Sequence, residues 1–233
     1  MLGMNARWGW FFFCALTFWV NSANAQITPD STLPNNSSVK LDGNTRVIEG
    51  GTRAGGNLFH SFKEFSVPTG SKAYFNNASD IQNIISRITG GSVSNIDGLI
   101  GASGTANLFL INPNGIIFGK NASLDVKGSF VGTTANALSL TNGEIFSANP
   151  VEPLPTQLLN VNPNAFLFNQ IANQSINSIQ VNKAFLSVPN SKSLLLVGGN
   201  VRLDNGQLQA KGGRIELGGL AGQGRIWLNT SNN

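Results

Sequence analysis

Short apolar runs, each bounded by Gly, Asn or Asp, recur along this chain and restrict its fold more than any other feature. They fall at 39–41, 45–48, 58–62, 65–67, 73–75, 84–88, 108–111, 116–118, 124–126 and 130–131. A late group follows at 166–168, 179–181, 186–188, 194–197, 201–203, 215–217 and 226–228. An amphipathic helix needs a longer periodic stretch, whereas many brief β-branched runs separated by turn residues read as strands. Only 79–84, with Ser79 as an N-cap, offers a single helical turn. The fold class is therefore all-β.

The densest stretch is 107–119, where two apolar arms flank Asn112, Pro113, Asn114 and Gly115. Leu108 and Leu110 alternate with Phe109 and Ile111 on one side, and Ile116, Ile117 and Phe118 form the other. Neither arm carries charge, so burial on both faces is expected. Pro113 presets φ for a turn, and Asn114 and Gly115 tolerate positive φ. The pattern returns at 161–168, where Val-Asn-Pro-Asn-Ala-Phe-Leu-Phe echoes Ile-Asn-Pro-Asn-Gly-Ile-Ile-Phe at 111–118. In the tail, Val201 and Leu203, Leu208 and Ala210, Ile215 and Leu217, then Ile226 and Leu228 alternate with Gly- or Asn-rich corners. Strand, corner, strand, then repeat describes a parallel β-helix, while a sandwich would show cleaner alternation and hairpin loops. Asn outnumbers even the 27 Gly. At successive corners its amides can stack from coil to coil or occupy left-handed conformations.

Pro150, Pro153 and Pro155 cannot donate to an interior ladder, so 147–156 reads as an excursion that rejoins the solenoid at Val161. The polar residues 229–233 follow a complete strand and could form a minimal cap or lead into a longer protein. At the other end, Arg7, the apolar run 8–20 and Ala23-Asn24-Ala25 form a secretory signal peptide, cleaved between Ala25 and Gln26. The run is shorter than the ~20 residues of a membrane span. Residues 1–25 are then the leader and 26–233 one β-helical domain. The only cysteine, Cys14, leaves with the leader, so the mature domain holds no disulfide. The 15 Lys and Arg exceed the 11 Asp and Glu, but only 11% of residues are charged and the cations are scattered. Nucleic-acid binding demands a concentrated basic footprint, so no nucleic-acid partner is expected.

Taken together, 45–228 resembles the N-terminal secretion domain of filamentous-haemagglutinin-type exoproteins, the two-partner secretion family. The resemblance is carried by residues 56–62 with Phe65, 74–77, Arg87 to Gly90, 96–98, 106–119, 128–130, 194–199 and 213–219. Its most specific element is Asn112, Pro113, Asn114, Gly115 and Ile116, followed by an apolar strand and a Gly-Ser-Phe turn. The chain departs from the family in lacking an upstream Asn-Ser/Pro-Asn-Leu motif, whose place is taken by 76–79 or 80–83. The resemblance implies a right-handed parallel β-helix with an N-terminal β cap. It also implies export by the general secretion machinery and recognition, while extended, by the POTRA domains of an outer-membrane β-barrel transporter. The domain would fold first outside a diderm cell and template following coils. Strand addition of this kind draws on free backbone edges, β-propensity and low charge.

Other functions find less support in the residues. His60, the only histidine, lies on an apolar strand and reads as a hydrogen-bonded structural residue. Ser61 beside it points to the opposite face, so the two make no catalytic pair. A polysaccharide-active β-helix enzyme would need convergent carboxylates. Asp80, Asp97, Asp125, Glu144, Glu152, Asp204 and Glu216 are dispersed. No catalytic residue, cofactor or metal is expected. Trp227, the only tryptophan beyond the leader, reads as a cover for the last coil or a contact for a further one. Exposed, it could stack on a sugar, which keeps a short adhesin binding glycans or a surface partner as the alternative.

Overall fold

The computed structural model describes residues 27–151, 163–168 and 177–228. The leader and its Ala25–Gln26 junction lie outside these residues, as do Glu152, Pro153, Pro155 and the terminal 229–233. Every regular element among the described residues is a strand. The chain opens with β1 (Thr28–Pro29), β2 (Ser37–Asp42), β3 (Thr45–Gly50) and β4 (Thr52–Ala54). Coils then follow as β5 (Asn57–Glu64) and β6 (Lys72–Phe75), then β7 (Asn83–Ile88), β8 (Ser94–Ile96) and β9 (Leu99–Ala102). Next come β10 (Asn107–Ile111), β11 (Ile116–Phe118) and β12 (Ser123–Asp125), and then β13 (Phe130–Thr133). Here the chain leaves the solenoid for β14 (Ala137–Leu140), β15 (Ile145–Ser147) and β16 (Pro163–Phe168). It returns with β17 (Ser178–Asn182) and β18 (Phe185–Val188), then β19 (Leu194–Gly198), β20 (Asn200–Asp204) and β21 (Gln207–Ala210). The last two strands are β22 (Ile215–Gly219) and β23 (Gly224–Trp227).

Strands one coil apart pair in parallel and in register. The main wall runs β5-β7-β10-β13-β19-β22, a second runs β8-β11-β17-β20, and a third joins β3, β6, β9 and β12, with β18-β21 beyond it. This is the parallel β-helix expected from the strand-and-corner rhythm. At the N-terminal end the pairing turns antiparallel. Strands β1 and β4 cover the free edge of β5, and the β2–β3 hairpin continues the third wall. Pairing these edges removes them as templates for another chain.

Inside the coils, alternate residues of each main-wall strand stack. Leu58, Ile84, Leu108, Phe130 and Leu194 belong to one buried cluster with Phe62, Phe65, Phe75 and Phe118. The other parity of the same strands faces outward and is also buried. Phe59, Ile85, Phe109, Ile111, Val131 and Val197 form a second cluster with Leu138, Phe146, Phe166 and Phe168. An antiparallel side sheet, β15-β14-β16-β23, supplies those partners. Two buried faces explain why the main-wall strands are apolar without alternation. The expectation of two-sided burial is met for 108–111, but on β11 only Ile116 and Phe118 are buried, and Ile117 is half-exposed.

Three local expectations change. Residues 79–84 hold no helical turn, only a turn closed by the Ile81 amide on the Ala78 carbonyl (3.2 Å). The stretch 163–168 does not rejoin the solenoid. It pairs antiparallel with β14 and β23, so the excursion begins at Ala137 and the parallel coils resume at Ser178. Ile226 likewise belongs to the side sheet rather than to a final coil. Local sequence carries strand propensity but not the partner that a strand will find.

Candidate secretion motif

Residues 112–115 form the corner between β10 and β11, and Ile116 opens β11. Asn112 is fully buried. Its Nδ2 donates to the Ser92 carbonyl (3.0 Å) and to Ser94 Oγ (2.9 Å), both in the preceding coil. Its Oδ1 accepts the Asn114 amide (2.9 Å) and Asn114 Nδ2 (3.2 Å). Asn114 Nδ2 also donates to the Gly90 carbonyl (2.6 Å), again one coil back. In the other direction, the Asn112 amide donates to the Thr133 carbonyl (2.9 Å), and Asn177 Nδ2 donates to the Pro113 carbonyl (2.9 Å). The corner thus fastens three successive passes of the chain. A short buried amide does this because it offers two donors and an acceptor within one side chain.

The turn itself closes through the Gly115 amide on the Asn112 carbonyl (3.1 Å). Of the two residues expected to tolerate positive φ, only Gly115 takes it, at 115°. A Cβ there would meet the Ser178 carbonyl oxygen at 3.2 Å. Ile116 then turns its side chain into the coil interior.

Asparagine serves the neighbouring corner too. Asn83 Nδ2 donates to Asn57 Oδ1 and Asn107 Nδ2 to Asn83 Oδ1, each at 2.9 Å, and Asn107 Oδ1 receives the Ser129 amide (2.9 Å). The expected amide stack is present, built without left-handed φ. Among the described asparagines only Asn205 adopts that conformation (φ 52°).

His60 lies inside the first coil, its ring 5.2 Å from that of Phe75 and its Nδ1 2.9 Å from Ser37 Oγ. Burial pushes its pKa down to about 4, so it is neutral and structural. Ser61 faces the other way, as strand alternation requires. The acids stay apart. Asp80 pairs with Arg53, Asp125 with Lys127 and Glu216 with Arg214, all exposed. Asp97 accepts hydrogen bonds from Thr69 and Asn121 at a corner. Trp227 does not cover a coil end. It lies on the edge strand β23 of the side sheet, 62% exposed, with the Arg225 guanidinium 5.0 Å from its ring centre.

Sequence reasoning missed the role of Arg87, which it counted among the scattered cations. It is 1% exposed. Its Nε donates to Ser61 Oγ and its Nη2 to Thr32 Oγ1, both at 2.9 Å. Those hydroxyls in turn donate to Asp30, at 2.8 Å from Ser61 and 2.5 Å from Thr32. Two hydroxyls therefore relay a buried cation to a half-buried anion. Burial alone would raise the Asp30 carboxyl, but hydrogen bonds from Thr32, Thr89 and Ser61 hold it below the ordinary range. Arg87 also donates to the Ser147 carbonyl and sits 4.6 Å from the Phe146 ring centre, binding the side sheet to the coils. The available signal was a lone charge between Ile84, Ile85 and Ile88, where an exposed cation would be out of place.

The model of the TPS secretion domain matches residues 25–233. The chain belongs to the TPS secretion domain family. No curated protein matches it. The crystal structure of the HMW1 secretion domain from Haemophilus influenzae is similar, with a TM-score of 0.62 and 24% identity. That match covers 87% of this chain and 46% of the other, so the chain spans about half the length of that relative. The crystal structure of the filamentous hemagglutinin secretion domain matches at a TM-score of 0.42 and 16% identity, over 83% of this chain and 99% of that one. This TPS domain is a β-helix whose best-marked motif is a buried corner.

Proposed function

We propose that residues 26–233 are the non-enzymatic secretion and fold-nucleating domain of an exported β-helical exoprotein. The leader 1–25 directs it to the general secretion machinery and is cleaved between Ala25 and Gln26. The extended chain is then recognised by the POTRA domains of an outer-membrane barrel transporter and reaches the cell surface or medium. The observation that carries this reading is the burial of Asn112 and the engagement of Asn112 and Asn114 by neighbouring coils. Once folded, Asn112 is buried with its side-chain amide engaged on both atoms, so this residue acts either on the unfolded chain or by closing the early coils. Solenoid coils gain most of their stability from neighbours, so a corner that fastens three passes is a reasonable nucleus.

The test is export of an Asn112→Ala/Asn114→Ala/Gly115→Val variant with the cognate transporter. The expected outcome is leader cleavage without release, with the chain degraded or held in the periplasm. Release at the level of the unaltered protein would reduce the motif to scaffolding. The exposed Trp227 beside Arg225 favours a second reading, a glycan-binding adhesin. Strong glycan-array binding that vanishes in Trp227→Ala would place it first.

A further inference from the structure

Asn is followed by Gly at three places: Asn114-Gly115, Asn142-Gly143 and Asn205-Gly206. Such pairs undergo a known chemical reaction. The glycine amide nitrogen, losing its proton, attacks the asparagine side-chain carbonyl carbon. A new C–N bond closes a succinimide ring, and the C–Nδ2 bond breaks to release ammonia. Water then opens the ring at either carbonyl, giving aspartate or isoaspartate. Glycine permits the reaction because it has no Cβ to obstruct ring closure.

The fold treats the three pairs differently. At Asn114, Nδ2 is held by the Gly90 carbonyl (2.6 Å), and the Gly115 amide is engaged by the Asn112 carbonyl (3.1 Å). At the hairpin between β14 and β15, the Gly143 amide donates to the Leu140 carbonyl (2.9 Å), and Asn142 Oδ1 accepts the Glu144 amide (3.0 Å). At the corner between β20 and β21, Asn205 is exposed, and among the described residues its only side-chain partner is Asp204 Oδ1, 3.2 Å from its Nδ2. The Gly206 amide and Asn205 Oδ1 have no hydrogen-bond partner among the described residues.

We propose that Asn205 is a site of spontaneous deamidation in the folded protein, while the fold protects Asn114 and Asn142. The preceding coil supplies an internal control. Lys183 occupies the corresponding corner between β17 and β18, with φ 58° against 52° for Asn205, and its amide donates to the Asp204 carbonyl (2.8 Å). The same corner is therefore built by a residue that cannot cyclise. Conversion at Asn205 sets a second carboxylate beside Asp204, and the iso product lengthens the backbone of the corner by a methylene. Strands β20, β21 and β22 are the last in their walls, so the change falls on the end coil of the solenoid. The inference stands independently of the secretion reading.

The purified protein is aged at about 37 °C in mildly alkaline buffer, native and in urea, and mapped by peptide mass spectrometry with isoaspartyl-methyltransferase labelling. In native buffer Asn205 is expected to convert several-fold faster than Asn114 and Asn142, and in urea the three rates should converge. The Asn205→Lys variant, which copies the preceding coil and should fold, is expected to lose the Asn205 product and leave the other sites unchanged. Conversion of Asn205 no faster than Asn114 in native buffer overturns the proposal. So does the same rank order in urea, since the fold would then not be the cause.

Discussion

The phrase Asn-Pro-Asn occurs at 112–114 and again at 162–164, followed in both cases by a small residue and three apolar ones, yet the two copies fold oppositely. The first turns a corner of the solenoid. The second enters β16, with Pro163 as its first residue, where no interior ladder bond is demanded of it. The small residues differ: Gly115 takes φ 115°, while Ala165 lies fully buried in an antiparallel strand opposite Ser139 and Trp227. A side chain with a Cβ is strained at positive φ, so alanine favours the extended alternative. Surroundings reinforce the difference. The corner finds Ser92, Ser94 and Gly90 one coil back, and β16 finds Phe146 and Leu138 in the apolar layer outside the main wall. A motif of this kind is a conditional instruction, completed by a glycine and by what lies beside it.

The largest effect is expected where the two regions are joined. Arg87→Ala removes the guanidinium that links Asp30, through Ser61 and Thr32, to the Ser147 carbonyl of the side sheet. The change leaves Ser61 Oγ, Thr32 Oγ1 and the Ser147 carbonyl without their cationic donor, at about 1–3 kcal/mol for each buried group left unpaired. Urea unfolding should show a loss of that order. Hydrogen exchange should rise first at 27–33 and 137–147, with the Asn112 corner still protected. Equal loss of protection everywhere would mean that coils and side sheet form a single cooperative unit.

Much of the architecture was legible before any coordinates. Short apolar runs between Gly and Asn gave an all-β solenoid, the stacked asparagines followed from their abundance, and strand alternation separated His60 from Ser61. The side sheet was not read: Phe166 has the same local pattern as a coil strand, and the hairpin that Asn142-Gly143 marks between 137–140 and 145–147 was passed over. Only long-range pairing assigns the Phe166 strand elsewhere. At the motif, residue types predicted the turn and the need for glycine at 115, but not that Asn112 bonds backward to Ser92 and forward to Thr133. Sequence spacing does not reveal which residues stand one coil away. Arg87 was misread for the same reason, since its partners at 30, 32, 61 and 147 converge only in the fold.

Acid should strike the solenoid before the side sheet, because the only histidine lies inside the first coil. The folded-state pKa of His60, about 4, is below its ordinary 6.5, so protonation favours the unfolded chain. Its contribution is intact above pH 6.5 and is lost as pH falls toward 4, a change of about 3 kcal/mol. Asp30 acts in a lower window. Its depressed pKa stabilises the fold above the ordinary carboxylate value, and that share disappears only as pH falls below 3.8. Denaturant midpoints measured across this range should fall from pH 7 to pH 4, and His60→Gln should flatten the upper part of the curve. An unchanged slope in that variant would assign the acid sensitivity elsewhere.

A smaller effect tests the corner directly. Gly115→Ala places a Cβ at φ 115°, where strain of about 1–3 kcal/mol is expected, and brings it to 3.2 Å from the Ser178 carbonyl oxygen. Thermal unfolding should shift downward accordingly. Exchange should increase at Asn114 and Gly115 before it increases in β16. No loss of stability would show that the backbone at 115 relaxes to a conformation open to any residue, and the contrast with Ala165 would lose its basis.

The reciprocal change, Ala165→Gly, makes the second phrase read Asn-Pro-Asn-Gly like the first. If glycine alone made the corner, this variant would turn out of the side sheet. The surroundings argue otherwise. Phe166 and Phe168 are buried against the outer face of the main wall, and the ladder to β14 and β23 runs through this strand. Leaving the strand would expose two aromatic side chains, each worth about 1.5–3 kcal/mol buried. Glycine within a strand costs only about 0.5–1 kcal/mol. The expected outcome is therefore a slightly less stable protein with the side sheet in place, seen as retained exchange protection at Phe166 and Ile226. Loss of that protection would mean that the small residue after Asn-Pro-Asn overrides long-range packing, and glycine would then be sufficient for the turn as well as necessary.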